Sequence, residues 1–159
     1  MAELQPDQAV FLLNTLLPQL KREHKTTLRV IQAVPVDQGG YKPAPGSMSA
    51  VDLAWHLGAA EIFFMTGAVA GEFSAGAARP ENVQDSAGVA DWYRQNFARC
   101  FEEVRALTPE QLLKPLPFHG YTQTALEWLQ FMLTHSIHHR GQLTVYLRPM
   151  GAMVPAMHG

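Results

Sequence analysis

Between Pro6 and Val34 the apolar residues Leu13, Leu17, Leu20, Leu28 and Ile31 recur at spacings of three, four or their multiples. That repeat puts them on one face of a helix turning every 3.6 residues. The pattern predicts helix one over 6–34, with Pro18 as a place where it can kink. The next stretch, PVDQGGYKPAPGS, holds paired glycines and three prolines, so it reads as an irregular connection. About fourteen extended residues reach roughly 45 Å, against roughly 30 Å for a twenty-residue helix, so this connection is long enough to return the chain to its starting end. On that reading helices one and two run parallel.

Ser49 followed by Asp52 makes a capping-box pattern ahead of an apolar and small-residue run, which predicts helix two over 49–71. A Gly/Ala/Ser-rich segment extends through Gly88. Helix three is then DWYRQNFARCFEEVRAL, with Trp92, Phe97, Phe101, Val104 and Leu107 as inward candidates. Thr108-Pro109-Glu110 opens a short helix, because proline suits the first helical position. KPLPFHGYTQ reads as a loop. Thr124 with Glu127 forms a second capping box, and no proline intervenes until Pro149, so helix four has room for about 25 residues before Gly151. No segment calls for a strand. The expectation is an all-α four-helix bundle forming a single domain over 1–159.

Composition narrows the function. With 159 residues, 47% hydrophobic and 16% charged, the chain is long enough to bury a core and sparsely charged outside, which leaves apolar surface for a partner subunit. Twelve basic and fourteen acidic side chains give a net charge of -2 with no Lys/Arg run, so nothing favours nucleic acid. Cys100 is the one cysteine, which excludes an internal disulfide framework and fits a reducing compartment. The opening MAELQPDQ lacks a basic leader region, and no uncharged apolar run approaches the roughly 20 residues of a membrane span. The expected location is cytoplasmic, with no membrane partner.

The candidate chemistry lies in the histidines. In THSIHHRGQLTVYLR, His135 and His139 are one helical turn apart and can point at the same spot. Taking His135 as zero and about 100° per residue, Trp128, Met132, His139, Gln142 and Tyr146 fall within about 60° of it, His138 lies at the margin near -60°, and Arg140 lies outside near +140°. On helix two, His56 belongs to the row Asp52, His56, Ala59, Ala60, Phe63, Gly67, where small residues leave space for an ion. Three neutral imidazoles suit zinc, nickel, iron or copper and leave a coordination position for water or substrate. An ion so held keeps its charge and lowers the pKa of a bound water or thiol. Spacing alone leaves a plainer reading open, in which His56 and His24 are hydrogen-bonded core residues.

The two blocks SMSAVDLAWHLGAAEIFF and HSIHHRGQLTVYLRPMG resemble the second and fourth helices of the DinB-like bundles, a family that includes damage-inducible proteins and metal-dependent enzymes. Helical order, length and loop sizes agree over nearly the whole chain. The resemblance implies helices one and two parallel in up-up-down-down order and a homodimer. It also implies an intracellular protein with one divalent ion on His56, His135 and His139, zinc or nickel first, with iron or manganese as further options. Glu61 matches an acidic residue that follows the helix-two histidine. Family members often continue in a G-P-S-A-D-E-like tail, whereas this chain ends VPAMHG.

The resemblance does not fix one reaction: characterised members include metal-dependent transferases and isomerases that use low-molecular-weight thiols such as bacillithiol or mycothiol, and the first expectation is a metal-dependent transferase in which a bound thiol attacks a small-molecule electrophile. In that reading Gln142 orients the bound group and Trp55 or Tyr41 lines the mouth, while Glu61 stands behind the ligands. The alternatives are a hydrolase using a bound water, with His138 as the nearest proton shuttle, and a non-enzymatic dimeric stress-response protein. A structural metal in the last case would take a fourth ligand from His24, His138 or Cys100.

Overall fold

The computed structural model describes residues 4–157. The last two residues of the VPAMHG tail, His158 and Gly159, lie outside that range. The elements are α1 (Pro6–Gln32), a 3-10 turn at Val36–Gln38, α2 (Ala50–Ala70), α3 (Ser86–Arg105), α4 (Pro109–Leu112), strands β1 (Pro115–Phe118) and β2 (Tyr121–Thr124), and α5 (Ala125–Leu147). The long helices α1, α2, α3 and α5 form the expected bundle, with α5 as the fourth helix of the sequence reading.

The caps act where the sequence placed them. The Ser49 hydroxyl accepts the Asp52 amide at 3.2 Å, and Thr124 and Glu127 satisfy each other's backbone amides at 3.3 and 2.7 Å. Helix α3 starts earlier than its apolar pattern suggests, because Asp85 caps it by accepting the Gly88 amide at 2.8 Å. Its inward residue near the start is the fully buried Tyr93, while Trp92 is half-buried against Trp55, ring centroids 4.4 Å apart.

The expected loop before the last helix is instead a β-hairpin, in register from Pro115↔Thr124 to Phe118↔Tyr121. His119 and Gly120 both have positive φ, 49° and 80°, the conformation of a two-residue turn matched to strand twist. Pro115 and Pro117 hide the strand in the sequence, yet a two-stranded ribbon has free edges that tolerate them. The hairpin is held down by buried Leu116, whose carbonyl accepts the Trp128 indole N–H at 2.9 Å.

Chain direction also differs from the expected order. Ser86 at the start of α3 donates to the Val34 carbonyl just past α1 at 2.7 Å, while His24 stacks on Phe97 and the Lys21 ammonium lies over Phe101. Residue numbers run oppositely, so α1 and α3 are antiparallel. Trp55 meets Trp92, Gly58 lies against Tyr93, and Thr66 and Ala70 share a cavity wall with Asn96 and Arg99. Here the numbers rise together, so α2 and α3 are parallel. With His56 beside His139 and Phe64 beside Trp128, α2 and α5 are antiparallel. These contacts make α1 and α2 antiparallel, and the order up-down-down-up.

The physical reason is which connection travels. The segment after α1 folds back at one end, where the Gly39 and Tyr41 carbonyls accept the Val51 and Ala50 amides at 2.9 Å. The segment 71–85 between α2 and α3 is the one that runs back along the bundle, and its reach of about 50 Å when extended exceeds the helix length of about 30 Å. Helices α1 and α2 sit diagonally, each packed on α3 and α5.

Helix α2 is long and apolar enough to cross a membrane, with a mean hydropathy of 1.3 over its best window, but 56% of that window is buried inside the bundle. Its Leu53, Leu57 and Met65 are fully buried, as are Leu126, Leu129 and Met132 of α5. The apolar character of α2 is thus accounted for by the core.

Candidate metal centre

Antiparallel packing of α2 on α5 brings His56 to the turn that carries His135 and His139. One ring nitrogen from each lies within 4.8 Å of the other two, and all three side chains are half-buried. The Nε2 atoms of His56 and His139 are 3.3 Å apart. Two nitrogens about 2.0–2.1 Å from one tetrahedral zinc stand about 3.3 Å apart, so this spacing fits a shared ion.

Protonation and tautomer agree with that fit. Burial, then the neighbouring His139, lowers the His56 pKa. Burial first, and then His139, His56 and His138, lower that of His135 to about 4. These two imidazoles are neutral at pH 7, the form that offers a lone pair to a metal. His139 Nδ1 lies 3.0 Å from Gln142 Oε1. An amide oxygen only accepts, so in the tautomer that donates from Nδ1 to Gln142 the Nε2 atom offers its lone pair toward His56. His135 Nδ1 is buried without a hydrogen-bond partner.

The other sequence candidates separate. His138 is exposed, and its ring, 4.9 Å from that of His139, does not join the group. His24 is stacked on Phe97 at 3.7 Å, and Cys100 is buried on α3. Among the described residues no fourth His, Cys, Asp or Glu completes the set. Tyr41 packs edge-on against Tyr146 at 6.1 Å rather than lining the mouth, whereas Trp55 does line it. Gln142 bonds to His139 itself.

Arg140 corrects the helical-wheel reading. Although it lies about 140° from His135, it is 1% exposed, because α5 is covered on two sides. One stripe faces α2 and carries the histidines. The other carries Leu129, Ser136, Arg140, Leu143 and Leu147, all buried, and Arg140 is where it reaches α1. There Arg140 pairs with the Glu23 carboxylate and donates to Thr27 Oγ1 at 3.3 Å. Thr27 is 3.5 Å from Glu61 Oε1, and the Tyr93 hydroxyl donates to Glu61 Oε2. Burial pushes the Glu61 carboxyl above its usual range, against the pull of Tyr93, Ser136, Arg140 and Thr27. This polar chain joins α1, α2, α3 and α5. Glu61 and Arg140, one charged residue from each of the two helices that carry the histidines, were its trace in the sequence.

On its open side the centre adjoins a cleft of about 570 Å³ that includes His56 and His135 in its wall. Phe63 and Phe64 of α2, Phe118 of the hairpin and Phe131 of α5 supply rings, and Gly76 and Ala77 of the crossover segment close one edge.

Comparison with known proteins places this architecture. The model of the DinB superfamily matches residues 19–143, a span that contains all three histidines. The uncharacterized protein YjoA of Bacillus subtilis (strain 168) is 29% identical over 142 residues, 87% of this chain and 90% of YjoA. The uncharacterized protein YrdA of the same organism is 31% identical over 108 residues, 67% of this chain and 64% of YrdA. The crystal structure of YjoA, described as DinB-like, matches with a TM-score of 0.68 at 28% identity over 82% of this chain and 88% of that one. A DinB-like protein from Bacillus cereus matches in fold with a TM-score of 0.75 at 24% identity, over 89% and 95%.

Proposed function

The chain belongs to the DinB superfamily, and from that premise we propose that His56, His135 and His139 hold one divalent metal ion, zinc or nickel first, in a transferase that activates a low-molecular-weight thiol. The observation that carries the reading is the convergence of three half-buried imidazoles, two of them 3.3 Å apart, with no fourth ligand among the described residues and a cleft alongside. A closed structural site would normally have four protein ligands.

A divalent ion on three neutral imidazoles supplies an undiminished charge that favours the ionised form of a thiol or water placed at its open position. The chain's own residues do the positioning. Gln142 fixes the His139 tautomer, and the α2–α5 packing sets the ligand spacing. In the transfer an S–C bond forms to the electrophile while its bond to the leaving group breaks. The leaving group departs with the electron pair, and the thiol proton passes to solvent. Thiol transfer is taken ahead of hydrolysis because the nearby carboxylates are engaged, Asp52 with Arg79 and Glu61 with Tyr93, which leaves the exposed His138 as the remaining proton shuttle for a bound water.

The reading includes a single domain over the whole chain, a homodimer and a cytoplasmic location. Exposed Phe11, Ile137 and Val145 offer apolar surface for a second copy. The test is elemental analysis of untagged protein beside His135→Ala, followed by an assay of thiol consumption with a generic electrophile. About one ion per chain, lost in the variant, with thiol loss that depends on the metal, supports the proposal. Equal trace metal in both proteins overturns the site, and metal without thiol consumption overturns the transferase.

A further inference from the structure

We propose that the cleft beside the three histidines selects an uncharged small molecule bearing an aromatic or branched apolar group, and that in the thiol-transfer reading, on which this rests, it holds the electrophile and not the thiol.

The wall is aromatic up to the histidines themselves. The Phe64 and Phe131 rings lie 6.1 and 6.0 Å from that of His135. Phe64 meets Phe131 at 5.4 Å, and Phe63 meets Phe118 at 5.2 Å. The connection before α2, α2 itself, the crossover segment, the hairpin and α5 all contribute, so this is a built concavity and not one helix face. Ala59, Ala60, Gly76 and Ala77 keep its interior clear of long side chains. The volume of about 570 Å³ is within the range of small-molecule sites.

Charge decides between the two reactants. Apart from the histidines, Asp52 is the only ionisable residue of the lining, and its carboxylate is already bridged by Arg79 at 2.9 Å. A low-molecular-weight thiol carries carboxylates, amines or sugar hydroxyls, and burying these against phenyl rings without partners is unfavourable. An apolar group next to the reacting atom is favourable there, and the continuity of Phe64 and Phe131 with His135 places that atom beside the histidines. The thiol is then the reactant that stays outside this apolar wall.

The experiment separates this claim from the metal reading. On the full-length zinc-treated protein, calorimetry compares acetohydroxamate, a metal-binding group without an apolar tail, with benzohydroxamate. On the metal-free protein, the neutral probe 1-naphthol is titrated beside the charged 1-naphthyl phosphate. Ala60→Trp fills the cleft, and Phe131→Ser removes a half-exposed ring without opening the core. Expected are at least about tenfold tighter binding of benzohydroxamate than of acetohydroxamate, and saturable binding of naphthol but not of its phosphate. Both preferences should collapse in Ala60→Trp and weaken in Phe131→Ser. Failure of both hydroxamates overturns the metal reading, while naphthol binding lost in Ala60→Trp still supports the cleft. Naphthol that does not bind the parent, as when a second copy covers Phe131, overturns the cleft, and so does binding unchanged in Ala60→Trp.

Discussion

Arg79 of the crossover segment reaches Asp52 at 2.9 Å, one helical turn before His56, so the segment that returns the chain along the bundle is tied down at the mouth of the histidine cleft. The pair is partly exposed, with side chains 29% and 52% accessible, and such pairs contribute about 0–1 kcal/mol. Arg79→Ala should therefore leave global stability within about 1 kcal/mol while loosening the strap locally. Limited digestion with proteinase K should nick the 72–82 region several-fold faster in Arg79→Ala and in Asp52→Asn. Unchanged digestion in both would show that the ion pair does not hold it.

The hydrogen bond from His139 Nδ1 to Gln142 predicts a separable effect on metal binding. Loss of a ligand's hydrogen-bond partner typically costs about 10- to 100-fold in affinity. Gln142→Ala should lower zinc affinity by about that factor in a chelator competition, and Gln142→Glu should restore it. The Tm of the metal-free protein should stay within about 1 °C, because the Gln142 side chain is exposed. Equal affinity in Gln142→Ala would show that the tautomer is set by something else.

Arg140 is a buried charge tying α5 to α1. Its truncation leaves Glu23 and Thr27 without their partner and a void between α5 and α1, and breaking a buried pair typically costs about 3–5 kcal/mol. Arg140→Ala should unfold at least about 6 °C below the parent. Glu23→Gln keeps a hydrogen-bonding side chain at a position that is 25% accessible and should cost less than half as much. Comparable urea midpoints for Arg140→Ala and the parent would refute this role.

His24 gives the fold an acid-sensitive point away from the histidine cluster. Burial first, then the positive charges of Arg94 and Lys25, lower its pKa from 6.5 to about 4. The unfolded chain then takes up the proton at a higher pH than the folded one. The stability this confers is whole above 6.5 and is lost as the pH falls from there toward 4. The ring is half-buried, so water screens the effect to about 1 kcal/mol. His24→Phe keeps the stacking on Phe97 and removes the titration, so its Tm should drop about 2–4 °C less than the parent's between pH 7 and 4.5. His56 and His135 titrate in both proteins and cancel in the difference. Parallel Tm curves would sink the assignment.

What could be read in advance follows from how locally each feature is encoded. Ser49 and Thr124 announce their helices because a cap and its partner are three residues apart. His135 and His139 announce a shared point because one helix turn separates them. His56 had to be joined to them by packing, which its row of small residues suggested. Chain direction depended on choosing which of two long connections travels the bundle, and length alone favoured the wrong one. The Tyr41 and Gly39 carbonyls that fold the first connection back accept from Ala50 and Val51 across the connection, and no side-chain pattern announces backbone bonds of that kind. Arg140 was misplaced because one helical wheel assumes one buried face, and α5 has two.

The double burial of α5 also sets when the molecule becomes complete. Helix α5 is the last long element in the chain, yet α1 and α2, which barely touch each other, both require it for cover. A growing chain emerging from the ribosome therefore has α1, α2 and α3 available with one side of the core still bare, and two of the three histidines have not yet been made. Contacts between α1 and α5 span more than a hundred residues, as in the pairing of Glu23 with Arg140, and such distant contacts slow folding. Closure of the core and assembly of the histidine cluster are consequently one late event, and a chain truncated before residue 139 lacks both.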